Sequence, residues 1–112
     1  MTGIELIAIE RQEQIEKHGR TIESDMQTNK AHQLTEAAAV LCTEMARSPK
    51  KRFAMFPDDW DSEICLKMCK KSRKKRLIIA GALIAAELDK IFEMEQKAYN
   101  DNLKKHQHYP LD

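Results

Sequence analysis

Apolar side chains recur every three or four residues over the first part of the chain, and this period predicts an amphipathic helix over Gly3–His18. Thr2 followed by Glu5 has the spacing of a capping box, in which the hydroxyl accepts a backbone N–H and the carboxylate returns to the cap. Gly19 favours an end to the helix because glycine adopts a positive φ without a steric penalty. The polar residues 19–30 are predicted to form a loop.

The same period returns further along the chain and predicts a second helix over Lys30–Arg47. Thr28 or Asn29 is the expected N-cap, since both side chains can accept a free backbone N–H. The pair Ser48-Pro49 ends this helix because proline disfavours a helical residue before it.

Residues 49–60 show no clear period and are predicted to be irregular. Asp61 or Ser62 can cap a short helix that follows them. This third helix is predicted to end near Lys71.

The last predicted helix is the longest and runs from Arg73 to near Lys105, with Ser72 as its cap. Residues Leu77–Ala86 are apolar on every side of this helix, so we expect it to be the buried central element. Residues 98–112 are expected to form a loose tail, which leaves a core over about residues 3–95.

Together these elements predict an all-α fold, a small bundle of three to four helices that includes a long buried C-terminal helix. At 112 residues and 13.0 kDa the chain has the length of a single domain, which excludes large multi-domain enzymes. Short helices cover little of a long apolar one, so we expect an oligomer. A dimer is the first expectation because two-fold interfaces are the commonest.

Composition bears on the compartment. Apolar residues make up 42% of the chain and charged residues 33%, and no apolar run approaches the ~20 residues that span a bilayer. The start of the chain lacks the basic and apolar regions of a signal peptide, so we expect a cytoplasmic protein that does not act at membranes. Cys42, Cys65 and Cys69 are odd in number, and the last two have helical spacing, which indicates reduced structural thiols.

Charge is distributed unevenly. Residues 47–76 hold eleven Lys and Arg against four Asp and Glu, a local formal charge of +7 in a chain of net charge +1. Such a segment binds phosphate groups or forms a solvated charged face. Cations that cluster at the start of a helix repel one another, and a bound anion relieves this repulsion. The candidate residues are Lys71, Lys74, Lys75 and Arg76, with Trp60 available to stack on a base.

Carboxylates on the predicted helices offer a second kind of site. Glu10 and Glu13 lie one turn apart, a spacing that can hold Mg²⁺ but also occurs on solvent-facing surfaces. Glu87 follows ten apolar residues, so we expect it to be partly buried beside either a helix cation such as Arg11 or a ligand or metal. Glu36, next to the apolar stripe of the second helix, raises the same question.

Several motifs resemble a family of small phage and prophage proteins over about residues 3–92. They are Glu10-Arg11-Gln12-x-Gln14-Ile15-Glu16-x-x-Gly19, Asp25, Leu34-x-x-Ala37-Ala38, Pro57 with Trp60, and Ala80-Gly81-Ala82-Leu83-Ile84-x-Ala86-Glu87. That family is grouped with MazG-like all-α nucleoside triphosphate pyrophosphohydrolases, so the resemblance implies an oligomeric, Mg²⁺-dependent enzyme. The chain departs from the MazG pattern of Glu-x-x-Glu followed by Glu-x-x-Asp, because Glu36 and Glu44 are eight residues apart and Glu87 and Asp89 are two apart.

By analogy with small oligomeric phage proteins that sequester nucleotide immune signals, we predict a protein that binds and holds a nucleotide-derived ligand. A cyclic nucleotide or an ADP-ribose-type signal would be held without catalysis or cofactor, in the host cytoplasm. The alternatives are a Mg²⁺-dependent pyrophosphohydrolase and an accessory factor that binds nucleic acid or protein. The predicted ligand-binding residues are Glu10, Arg11, Gln14, Trp60, Lys71, Lys74, Lys75, Arg76 and Glu87. The enzyme alternative would place a metal on Glu10, Glu13, Glu36 and Glu87.

Overall fold

A computed structural model describes residues 1–44 and 48–107, and every regular element in those two ranges is a helix. The all-α prediction is confirmed, as is the long C-terminal helix. The described residues form six helices rather than three to four, because two short helices occupy segments predicted to be irregular. The helices are α1 (Gly3–Glu16), α2 (Ile22–Thr28), α3 (Gln33–Cys42), α4 (Pro49–Phe53), α5 (Ser62–Cys69) and α6 (Arg73–Gln107).

The start of α1 has the predicted capping box. The Glu5 backbone N–H donates to Thr2 Oγ1 at 3.2 Å, and the Thr2 N–H donates to Glu5 Oε1 at 3.3 Å. The helix ends at Glu16, and Gly19 adopts a φ of 64°, the left-handed conformation that its lack of a Cβ permits.

The predicted loop over residues 19–30 was wrong, because this segment contains α2. Thr21 caps it, and its hydroxyl accepts the Ser24 backbone N–H at 3.1 Å. A seven-residue helix completes only two turns, so the sequence has too few positions to show an apolar period.

Helix α3 is shorter than the predicted Lys30–Arg47. It begins after His32, which makes no side-chain capping hydrogen bond, so Thr28 and Asn29 are not its caps. It ends at Cys42, and Thr43 is extended with φ −75° and ψ 140°. Residues 45–47 of the prediction lie outside the described residues.

Two buried arginines bind the backbone carbonyls at the C-terminal end of α3. Arg52 donates to the carbonyls of Val40 and Thr43, and Arg76 Nη1 donates to the Leu41 carbonyl at 2.9 Å. Since the last four carbonyls of a helix lack partners within it, these side chains stabilise the end of α3.

Residues 49–60 are not wholly irregular, because they include α4. The Lys51 backbone N–H donates to the Ser48 hydroxyl at 3.2 Å, so Ser48 caps α4. Asp61 caps α5 as predicted, and its Oδ1 accepts the backbone N–H groups of Glu63 and Ile64.

Helix α6 begins at the predicted cap, where the Lys75 backbone N–H donates to the Ser72 hydroxyl at 3.2 Å. Its first half carries α1, α2 and α3, and the core lies against this half. The expectation that Leu77–Ala86 is buried on every side was wrong, because Ile84 is 45% exposed. The buried core is formed by Leu34, Ala37, Ala38, Val40, Leu41, Phe56, Cys65, Met68, Cys69, Ile79, Ala80, Leu83 and Ala86.

The second half of α6 projects beyond the other helices, and the molecule measures 67 × 34 × 25 Å. After the buried Lys90, the described side chains as far as Lys105 are exposed, apart from the half-buried Glu93. The stretch from residue 98 that we expected to be loose is therefore helical as far as Gln107, and residues 108–112 lie outside the described part. Among the described helices, none is both long enough and apolar enough to cross a membrane.

Candidate ligand-binding cleft

A cleft of about 230 Å³ opens between α2 and the segment that leads into α5. Arg20, Asp25 and Asn29 line it from the α2 side, and Asp59, Trp60 and Asp61 line it from the opposite side. The cleft therefore brings together an aromatic ring, a guanidinium, an amide and three carboxylates.

Hydrogen bonds connect three of the side chains that line the cleft. Asn29 Nδ2 donates to Asp25 Oδ1 at 2.8 Å, and Trp60 Nε1 donates to Asn29 Oδ1 at 2.9 Å. Asp25 and Asn29 face each other because they lie four residues apart at the end of α2. Asn29 thus holds both the carboxylate and the indole in place.

The second oxygen of Asp25 has no hydrogen-bond partner among the described residues. Asp25 is only 1% exposed, and its Oδ2 is buried. Buried polar atoms are nearly always hydrogen-bonded, because an unsatisfied one retains its desolvation penalty. Asp25 Oδ2 is therefore an acceptor that a donor in the cleft would stabilise.

Arg20 offers the opposite hydrogen-bonding capacity. Its guanidinium carbon lies 4.9 Å from the centroid of the Trp60 ring, and it donates no side-chain hydrogen bond to the described residues. Burial lowers the pKa of Arg20, and the nearby Asp25, Cys65 and Glu10 partly offset this shift. The guanidinium remains charged, so Arg20 is a desolvated cation with unused donors.

The two ends of α2 are anchored by charged side chains from other helices. Arg11 Nη1 donates to the Arg20 carbonyl at 2.9 Å, just before α2. At the other end, the Lys90 Nζ donates to the carbonyls of Asn29 at 2.6 Å and Ala31 at 3.1 Å. These contacts fix the cleft wall against α1 and α6.

The predicted site residues on α1 do not line the cleft. The Glu10 carboxylate pairs with Lys75 Nζ at 2.7 Å, and Arg11 pairs with Asp89 at 3.4 Å. Gln14 is buried, and its Oε1 has no partner among the described residues.

Glu87 pairs with Lys90 Nζ at 3.0 Å, and its side chain is 12% exposed. The expected burial is confirmed. Of the partners that we considered for this carboxylate, the structure shows a helix cation, and that cation is Lys90 rather than Arg11.

The four predicted cations of the basic segment do not line the cleft, although Trp60 does. Lys75 is bound to Glu10, and the buried Arg76 donates to the carbonyls of Leu41 and Lys71 and pairs with Glu44 at 3.2 Å. Lys71 and Lys74 are exposed. Their predicted contact with an anion stays a prediction.

The four carboxylates of the enzyme alternative are not gathered into one cluster. Glu13 lies 3.9 Å from Lys17, and Glu36 is exposed on α3. In residues 1–44 and 48–107, no three His, Cys, Asp or Glu side chains are arranged to hold a metal ion.

Residue-level reasoning did not identify Arg20, Asn29 or Lys90 as site residues, and Asp25 entered only through the family resemblance. The available signal was the Asp25–Asn29 spacing of four residues. That signal requires a helix over 22–28, which the apolar pattern did not predict.

Comparisons of this chain with models of protein families, with curated proteins and with solved structures give no match. The resemblance to MazG-like proteins therefore stays a prediction.

Proposed function

We propose that this protein binds a nucleotide-derived small molecule in the cleft between α2 and α5 and holds it without chemical change. The observation that carries the proposal is that Arg20 and Asp25 line one cleft with complementary unused hydrogen-bonding capacity. Arg20 supplies donors for a phosphate, and Asp25 Oδ2 supplies an acceptor for a sugar hydroxyl or a base amino group.

The aromatic wall supports the same ligand class. Trp60 is half-buried, its Nε1–H is bound to Asn29, and Phe56 lies 6.3 Å away, centroid to centroid. A ring held in this way offers a fixed surface on which a base can stack, and such stacking is worth about 1–3 kcal/mol per base.

The groups in the cleft suit a protein that binds its ligand and leaves it chemically unchanged. Arg20 is a guanidinium, which does not exchange a proton near neutral pH, and Asp25 is held by Asn29. Both residues suit binding and orientation. Sequestration of the ligand follows if its release is slow.

A panel of nucleotides and cyclic nucleotides, incubated with the protein with and without Mg²⁺, tests the proposal. Mass spectrometry follows each compound in solution and after heat release from the protein. We expect a bound compound to be recovered intact. Consumption that requires Mg²⁺ would show the pyrophosphohydrolase alternative instead, and binding only to nucleic acid with a steep salt dependence would show the accessory-factor alternative.

Two substitutions locate the bound compound. Asp25→Asn keeps the shape of the side chain but removes the carboxylate, and Arg20→Met removes the donors. Each should weaken binding about tenfold or more, because a charged hydrogen bond contributes about 1.5–3 kcal/mol. Glu23→Gln is the matched control, because Glu23 lies on α2, is exposed and does not line the cleft. Equal effects of all three substitutions would contradict this location.

We further propose that the protein is a dimer that pairs through the outer face of α6. Six large apolar side chains, Ile84, Leu88, Ile91, Phe92, Tyr99 and Leu103, are between 42% and 62% exposed. At 100° per residue they fall within about 120° of the helix circumference. They offer on the order of 600 Å² per copy, close to the ~800 Å² per partner of a stable interface, so a second copy of this face is the occupant that we propose.

A further inference from the structure

The side chains that line the cleft carry more negative than positive charge. Arg20 contributes one cation, whereas Asp25, Asp59 and Asp61 contribute three carboxylates. Both carboxylates on the α5 side are fixed by hydrogen bonds. Asp59 Oδ2 accepts Gln33 Nε2 at 3.3 Å, and Asp61 Oδ1 accepts the first amides of α5.

Arg20 can neutralise one negative charge of a ligand, and any further negative charge meets the carboxylates opposite. Lys75 does not change this balance, because it does not line the cleft and its Nζ is bound to Glu10 Oε1 at 2.7 Å. Asp59 and Asp61 are exposed, so salt screens this repulsion, and it discriminates between ligands most strongly at low ionic strength.

We infer that the cleft selects a nucleotide whose phosphate is a diester with a single negative charge, and that it excludes nucleoside di- and triphosphates. The inference rests on the proposed function and names the ligand class more narrowly. In this arrangement the single phosphate lies against Arg20, and the sugar or base donates to Asp25 Oδ2. The carboxylates of Asp59 and Asp61 are therefore specificity-determining residues that reject additional phosphate groups.

Equilibrium dialysis with matched pairs of probes tests this inference. The probes are 3′,5′-cyclic AMP against ATP and 3′,5′-cyclic GMP against GTP, in EDTA so that the triphosphates keep their full charge and are not turned over through Mg²⁺. We expect the cyclic form of at least one pair to bind about tenfold or more tightly than the triphosphate, with a larger ratio at low salt.

The double variant Asp59→Asn with Asp61→Asn tests whether these two carboxylates cause the preference for the cyclic nucleotide. Asparagine also caps helices well and keeps an acceptor for Gln33, so the fold is preserved. The variant should bind the triphosphate more tightly and reduce the ratio to about threefold or less. The double variant Glu36→Gln with Asp101→Asn is the matched control, because it removes the same charge from exposed positions outside the cleft and outside the α6 face proposed for pairing.

The outcomes separate this inference from the proposed function. Triphosphate that binds as tightly as the cyclic form would overturn the inference while the cleft remains a nucleotide site. A ratio that falls equally in the control variant would also overturn it, because the effect would then come from net charge. Failure of every probe to bind would contradict the proposed function itself.

Discussion

Trp60 Nε1 donates a hydrogen bond of 2.9 Å to Asn29 Oδ1, and this bond joins the segment before α5 to the end of α2. The Asn29 amide also donates to Asp25 Oδ1, and the Asn29 carbonyl accepts from Lys90 Nζ. One side chain thus connects the aromatic and acidic walls of the cleft, and its own backbone is fixed to α6.

Asn29→Ala should destabilise the fold by about 2–4 kcal/mol, because it leaves the buried Asp25 carboxylate and the Trp60 N–H without their partner. The emission of Trp60, the single tryptophan of the chain, should shift to longer wavelength as the ring gains access to water. Urea unfolding followed by fluorescence measures both effects. Asn100→Ala, at an exposed position of α6 outside the face proposed for pairing, serves as the control, and equal stability of the two variants would contradict the role of Asn29.

Gly81→Ala tests how closely α1 approaches α6. A Cβ at this position would lie 2.5 Å from Ile7 Cδ1 and 2.8 Å from Ile7 Cγ1, so the isoleucine must move. We expect a loss of stability, although alanine favours a helix by about 1 kcal/mol over glycine. In an Ile7→Ala background the clash is absent, and the same change should stabilise the fold by about that amount. Thermal unfolding of the four proteins in this cycle gives the result, and the same sign in both backgrounds would disprove the contact.

The thiol of Cys65 should react slowly. Burial raises its pKa to about 11, and the nearby Cys69 adds to the shift. At pH 8 an alkylating reagent should modify the exposed Cys42 well before Cys65, which is 1% exposed. Peptide mapping over time measures the order of modification.

The raised pKa of Cys65 also makes the stability of the fold depend on pH. The thiol ionises near 9.0 in the unfolded chain but only near 11 in the folded protein. The contribution of the buried thiol to the free energy of unfolding is therefore complete below pH 9 and is lost as the pH rises towards 11. Cys65→Ala should therefore lose less stability than the wild-type protein between pH 8 and pH 10.5. Cys42→Ala is the control and should follow the wild-type protein.

Leu88→Lys with Phe92→Lys should convert the proposed dimer into a monomer, because it places two charges in the apolar stripe of α6. Light scattering after size-exclusion chromatography measures the mass. Met94→Lys is the control, since Met94 is 51% exposed but lies about a third of a turn from the centre of the apolar face of α6. A monomeric wild-type protein, or a control that dissociates equally, would refute this interface.

The helices with local signals could be predicted from the sequence. Thr2 with Glu5, and Ser72, define helix starts through contacts within one turn, and the structure contains both caps. The end of α3 could not be predicted, because Arg52 and Arg76 bind its carbonyls from other parts of the chain. Contacts of that kind depend on the tertiary fold and leave no local pattern.

The candidate cleft was predicted only in part, through Trp60. The basic segment 47–76 did not indicate which cations line the cleft, because a sequence does not show which cations are paired with other groups of the protein. Lys75 is bound to Glu10, and Arg76 is buried beneath α3. Arg20 was not predicted as a site residue, because it is a single charge in a polar segment. Its place in the cleft depends on contact with the ring of Trp60, 40 residues further along the chain.

The second half of α6 is exposed and can carry spin labels. The distance between labels on the two copies shows whether the two α6 helices of the proposed dimer run parallel or antiparallel. Nitroxide labels on Lys104→Cys, 16 residues beyond Leu88 and on the side of α6 away from the interface, would lie about 25–30 Å apart if the two α6 helices run the same way, because packed helix axes lie about 8–10 Å apart. If the helices run in opposite directions about Leu88, the labels would be separated by about 50 Å. In the parallel arrangement both clefts lie at the same end of the dimer, and in the antiparallel arrangement they lie at opposite ends.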